Sequence, residues 1–336
     1  MVRDDQDVHP TDPTPHRHRA EHVGVEFDET VETCARMLEA TPDLHYLAHY
    51  SNGVYDFSID RLGDSGALSP HDRPTLSRAG RQLTAHLQHF DELLREPRTG
   101  ALIRLVLESS HGTTVCNAML PSVHLVAFTL EVLQDKASPT YLASDVVDRG
   151  LSELVTDLRN RIGLLSQNPG GFESLPSPSW PEGEHPVPRS WHLGGDERFA
   201  HAAALREACA EAVRADDLHF AAYCVDGTLV AWADQLDHPL LGPFFTQVAV
   251  HARRRFYQQF SRTINRHAAS FNRTLNRPLD GTLTRMVFDV ELGAIFSLRL
   301  GVGVHLVGVT LNQSRESATE IRLAALADRC EELTKD

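Results

Sequence analysis

Asp43-Leu-His-Tyr-Leu-Ala-His-Tyr-Ser-Asn-Gly53 and Asp217-Leu-His-Phe-Ala-Ala-Tyr-Cys-Val-Asp-Gly227 are two versions of one pattern. In each, an apolar run ends on Asn-Gly or Asp-Gly, the pair that a tight hairpin turn needs at its two positive-φ positions. The match continues without a gap to Asp60 and Asp234. A second matched block starts at Gly100 and Gly281, with Leu102/Leu283, Arg104/Arg285, Val106/Val287, Gly112/Gly293, His124/His305 and Thr129/Thr310 identical. Two blocks in the same order, with the same turn residues, indicate an internal duplication. The numbering offset is 174 in the first block and 181 in the second. The second copy is therefore expected to carry about seven extra residues, placed inside its central helix.

Each copy reads as helix, hairpin, long helix, three-strand meander and closing helix. The helices are expected at 28–40, 73–96 and 140–165, and again at 196–215, 243–276 and 314–333. The strands between them are rich in Val, Leu and Phe, as half-buried strands require. The predicted class is α+β, with two α-β-β-α-β-β-β-α units, each a five-stranded antiparallel sheet flanked by helices. Residues 1–26 are polar and proline-bearing and read as a disordered tail, not a signal peptide. Unit 1 is expected over 27–167 and unit 2 over 196–336. Between them, 168–195 holds Pro169, Pro176, Pro178, Pro181, Pro186 and Pro188 and reads as a linker.

The composition is that of a soluble globular protein, with 41% hydrophobic and 23% charged residues. No apolar run reaches the roughly 18 residues of a membrane-spanning helix. Five scattered cysteines with no Cys-x-x-Cys pair argue against zinc and suit a reducing, cytoplasmic setting. Net charge is −14, which disfavours nucleic acid as a partner of the whole chain.

In copy two, Asp289-x-x-x-Gly293, Leu300-Gly-x-Gly303 and His305-Leu306-x-Gly-Val309, followed by a helix from Arg315 to Leu333, resemble the roadblock family. Copy one departs from that pattern at Leu120-Pro121-Ser122, which stands where the glycine turn would be. The resemblance spans both copies. It implies a profilin-like fold and a non-enzymatic scaffold that pairs through its central helix and third strand into one continuous sheet. It also implies that the partner is a small Ras-like GTPase, as for bacterial members in motility and signalling. Pairing could occur within the chain, favoured by high effective concentration across the linker, or between chains as a homodimer. PAS- or GAF-type domains share the strand content, so a small-ligand sensor is the alternative reading.

Nothing in the sequence calls for an enzyme, a metal or a cofactor. There is no Gly-x-x-x-x-Gly-Lys-Ser/Thr run and no Gly-x-Gly-x-x-Gly after a strand. Gly63-Asp-Ser65-Gly66 resembles a serine-protease nucleophile motif but reads as a loop. His86 and His89 have helical metal-ligand spacing but no third ligand, so a solvated helix face is expected. His45/His219 and His124/His305 recur at equivalent strand positions, which points to packing or hydrogen bonding.

The most informative surface is the central helix of copy two. Val248, Ala252, Phe256, Phe260, Ile264, Ala268, Phe271 and Leu275 form an apolar stripe, and no acid occurs from Pro243 to Leu279. Arg253, Arg254, Arg262, Arg266 and Arg273 on other faces are the candidate partner-binding residues. They would meet acids of copy one or, as forks for carboxylates, an acidic partner. A nucleic acid or membrane surface is a third reading.

Overall fold

The computed structural model describes residues 15–63, 72–130, 140–161, 191–279 and 281–335. The first half runs β1 (His16–Arg19), α1 (Asp28–Ala40), β2 (Tyr46–Ser51), β3 (Val54–Asp60) and α2 (Arg73–Leu94). It continues with β4 (Leu102–Ser109), β5 (Gly112–Leu120), β6 (Val123–Leu130) and α3 (Thr140–Arg161). The second half repeats the order as β7 (His192–Gly195), α4 (Ala202–Ala212), β8 (Phe220–Val225), β9 (Thr228–Asp234) and α5 (Val250–Leu279). It ends with β10 (Leu283–Val290), β11 (Gly293–Gly301), β12 (Val304–Thr310) and α6 (Glu316–Thr334).

All strands join one 12-stranded sheet in the order β1-β3-β2-β6-β5-β4-β10-β11-β12-β8-β9-β7, with antiparallel pairing throughout. This corrects the expected five strands per unit to six, because each half adds an edge strand, while β4 and β10 join the two halves. In β1, His16 to Arg19 pair with Asp60 to Phe57, and in β7, His192 to Gly195 pair with Asp234 to Ala231. The expected tail and linker are corrected at the same places. Residues 16–19 are strand, Val25–Phe27 form a short 3-10 helix, and 192–195 are strand. The rest of the expected tail up to residue 14, and linker residues 168–190, lie outside the described residues. β1 has no apolar alternation to announce it. Backbone pairing holds it, helped by Arg17–Glu32 at 2.8 Å and Arg19–Asp28 at 2.5 Å. Short, charged edge strands also discourage further strand addition.

The hairpin turns follow the sequence signal. Asn52 and Gly53 have φ of 54° and 73°, and Asp226 and Gly227 have 49° and 79°. Ser122 takes φ of 63° where its counterpart Gly303 has 72°, so the departure at Pro121-Ser122 leaves the turn geometry intact.

Two helical layers cover the sheet. Leu47, Phe57, Val106, Leu125, Val287, Phe296 and Leu306 face α1, α3, α4 and α6. Tyr46, Tyr50, Phe128, Phe220 and Phe288 face α2 and α5.

The halves meet at β4 and β10 around a pseudo-twofold axis. Val106 pairs with Val287, its own repeat counterpart. Leu105 lies opposite Phe288 and Leu107 opposite Met286, the isologous pattern of a twofold interface. Arg104 pairs with Asp289, and by the same symmetry Arg285 pairs with Glu108 at 3.2 Å. Glu316 and Glu320 of α6 complete these pairs, on Arg104 and Arg285 respectively. On the other face α2 and α5 lie side by side and antiparallel. Phe90 stacks on its counterpart Phe271 with ring centres 5.3 Å apart.

The extra residues of copy two do not lie inside its central helix. Arg73 forks onto Asp60 at 2.7 and 2.9 Å, and Arg254 forks onto Asp234 at 2.7 and 2.8 Å. Asp60 and Asp234 differ by the first offset and Arg73 and Arg254 by the second. The insertion therefore precedes the clamp, in the segment holding the 3-10 helix Pro239–Phe245.

Candidate partner-docking face

α5 is amphipathic: Phe256, Phe260, Ile264, Ala268, Phe271 and Leu275 are buried at spacings of three and four residues. Two turns fix its position. The Asn265 side-chain amide donates to the Gly303 carbonyl at 3.0 Å, and the Arg262 backbone carbonyl closes on Gly227.

This placement divides the five predicted partner-binding arginines. Arg253 is buried and is corrected to a structural role. Its guanidinium donates to the Pro97 carbonyl at 2.9 Å and the Arg98 carbonyl at 3.3 Å, and it lies 4.8 Å from the Phe245 ring centre. It thus ties α5 to the end of the other half's central helix. Arg254 is also structural, locked between Asp234 and Asp237. Arg262, Arg266 and Arg273 are exposed.

With Arg255 and Arg277, those three form one row at spacings of seven, four, seven and four residues. At 100° per residue the row stays within an arc of about 60° and runs about 33 Å, opposite buried Ile264. Among the described residues, none of the five has an ion pair or side-chain hydrogen bond. The acids of copy one do not neutralise the row. Asp91 on α2 is taken by Arg95 at 2.6 Å and by the Leu102 N–H at 2.8 Å. The positions equivalent to the five arginines are Pro74, Arg81, Ala85 and Glu92 on α2 and Glu96 just past its end. The two helices therefore share a core-facing stripe but present unlike outer surfaces.

Between the helices runs a histidine-lined seam. His86 and its counterpart His267 each pack on the opposite phenylalanine, with ring centres 4.9 Å apart in both contacts. His86 bonds Thr274 at 3.2 Å and His267 bonds Thr263 at 3.0 Å. Burial holds the His267 ring down to about 4, helped by the nearby charges of His89, Arg266 and His86. The expected solvated face at His86 and His89 is thus half an inter-helix contact. The sequence signal for His267 is its pairing with His86 at the second offset.

Of the other repeated histidines, His45 and His219 are hydrogen-bonding elements. The Nδ1 of His45 accepts from the Leu130 N–H at 3.1 Å, and that of His219 from the Leu311 N–H at 2.9 Å. Burial lowers His219 to about 4. His124 and His305 are buried, each also pushed down to about 4, chiefly by burial.

Sequence reading missed a cluster present in copy one alone. A bulge in β3 aims Asp56 into the interior, where it meets His49 at 2.7 Å, His22 at 3.0 Å and Ser51 at 2.6 Å. Burial raises the Asp56 carboxyl, but hydrogen bonds from His49, Ser51 and His22 win and bring it to about 2. Both Ser51 and His49 bond the carboxylate, so the histidine does not bridge serine to acid as a nucleophile-activating triad needs. Copy two has the same bulge, filled by Val230, with Tyr223 and Val225 in place of His49 and Ser51. Asp64, Ser65 and Gly66 of the protease-like motif lie outside the described residues.

A groove of about 540 Å³ opens between α1 and α3, lined by Arg36, Met37, Arg149 and Glu153 among others. Among the described residues, no group of three or more His, Cys, Asp or Glu is placed to hold a metal ion, and no helix is long and apolar enough to cross a membrane. The chain matches no protein-family model and no curated protein.

Proposed function

We propose that this chain is a non-enzymatic scaffold of tandem roadblock type, its two units paired within one molecule, that docks a small Ras-like GTPase on the outer face of α2 and α5. The observation that supports this reading most is the paired central helices across the β4–β10 junction, whose outer face carries arginines without partners among the described residues. A helix pair held by a stacked phenylalanine core and flanking strands is a rigid platform, and rigid platforms lose little entropy on docking. Unpaired exposed arginines contribute little to folding, and their forks suit carboxylates of a partner.

Pull-down of purified small GTPases, loaded with GDP or with a non-hydrolysable GTP analogue, tests the reading. Binding in at least one nucleotide state, weakened by substitutions on α5, is the expected result. No binding in either state refutes it. Saturable binding of a small apolar molecule that protects the fold would instead favour the sensor alternative.

A further inference from the structure

We infer that the outer face of α5 is a docking strip for an acidic helix of a protein partner, with carboxylates repeating at seven- and four-residue spacing. The inference rests on that face being a docking surface, as proposed above, and adds the chemistry and geometry of what docks. Arg255, Arg262, Arg266, Arg273 and Arg277 lie in one straight row along the helix. A row about 33 Å long is far larger than any single small anion and calls for an elongated ligand. A second helix laid along α5 presents side chains at the same 3.6-residue period, so its carboxylates can meet every arginine in register.

Other elongated polyanions fit less well. Single-stranded nucleic acid is normally gripped by aromatic rings between the basic groups. No aromatic residue occupies the exposed row, and among the described residues the exposed large hydrophobics are Val25, Val54, Trp191, Leu193, Val302 and Ile321, all off α5. The same absence removes the apolar wedge with which an interfacial helix enters a membrane.

The test is fluorescence anisotropy with the full chain and labelled helical peptides about 25 residues long, enough to match the row. One peptide carries glutamates at the seven-four spacing. A second has the same composition with its glutamates spread around the helix. A single-stranded oligonucleotide and anionic phosphatidylserine vesicles complete the set. The expected result is preference for the patterned peptide, weakened about tenfold or more in R262Q/R266Q and R266Q/R273Q, since two charge-assisted contacts are lost in each. R78Q/R81Q on α2 should change affinity less than about twofold, and thermal melting of all three variants should match the parent, as for exposed substitutions. Equal affinity for the two peptides overturns the strip, as do tighter binding of the oligonucleotide or vesicles and indifference to R262Q/R266Q. A GTPase that binds parent and R262Q/R266Q alike leaves the scaffold reading standing and overturns only the strip. Patterned-peptide binding without any GTPase binding does the reverse.

Discussion

Arg254 and Arg262 stand two turns apart on one helix, yet their loss should have very different consequences. The Asp234 side chain is fully buried and accepts two hydrogen bonds from the Arg254 guanidinium, plus one from the Leu236 N–H at 3.0 Å. Replacing Arg254 with Met keeps most of the aliphatic stem and removes the fork. Asp237, 39% exposed, regains water, but Asp234 cannot. Leaving a buried charge uncompensated costs about 3–5 kcal/mol. Arg262→Met removes an exposed charge with no partner among the described residues and should cost less than about 0.5 kcal/mol. Urea unfolding followed by tryptophan fluorescence measures both, with Trp232 beside the clamp as a reporter. Adding Asp234→Asn to Arg254→Met should recover much of the loss, because the stranded charge is then gone. Equal, small effects of Arg254→Met and Arg262→Met would refute the division of the arginines into structural and surface groups. Failure of Asp234→Asn to rescue would refute the stranded-charge mechanism.

Gly80→Ala should destabilise, although alanine is normally the better helix former by about 1 kcal/mol; a Cβ there would stand 2.2 Å from the hydroxyl and 2.7 Å from the ring Cζ of buried Tyr50, so Tyr50→Leu, which removes the ring, should make the added Gly80→Ala far less costly than it is in the parent, as read by thermal melting of the four proteins. Val106→Asp with Val287→Asp should disrupt the β4–β10 junction by placing two carboxylates opposite each other in a buried pair, read as loss of the cooperative melt or as independent unfolding of the halves. Stability should fall below pH 6.5, where the unfolded chain protonates His124, His219, His267 and His305 while the folded chain resists until about 4. The unfolded state binds more protons in that window, so stability present above pH 6.5 is lost as pH falls toward 4. The fully buried His219 alone contributes up to about 3 kcal/mol of this, and His219→Gln should flatten the profile measured by urea titration at each pH.

The parts of the fold that announce themselves in sequence are those fixed by local chemistry. Asn52-Gly53 and Asp226-Gly227 need positive φ and take it, and the meander strands follow from their apolar runs. β1 and β7 were missed because an edge strand needs only backbone partners, and His16-Arg-His-Arg19 carries no apolar period. Residue type alone groups the arginines together, whereas their roles depend on helix rotation. The signal that could have separated them was present: Arg254 stands at the second offset from Arg73, as Asp234 stands at the first from Asp60. The Asp56 cluster was hidden for a different reason. It is built from residues that copy two lacks, so comparison of the copies carries no trace of it.

What the two copies share and what they do not share follow a physical division. At the junction the identical arginines Arg104 and Arg285 each meet an acid across the axis, and Phe90 stacks on Phe271. A substitution on one side of that axis would strand a partner on the other, so pairing constrains both copies together. The outer helix faces have no such constraint. α5 carries five exposed arginines where α2 and the residues just past it carry Pro74, Arg81, Ala85, Glu92 and Glu96. A homodimer of one unit would present the same face twice. Covalent linkage of two units frees one face to change sign while the other stays put, and the pairing that holds them is untouched. The asymmetry of charge would therefore give the tandem arrangement a purpose that duplication alone does not, since under the proposed docking it would orient a charged partner along a single helix of a symmetric platform.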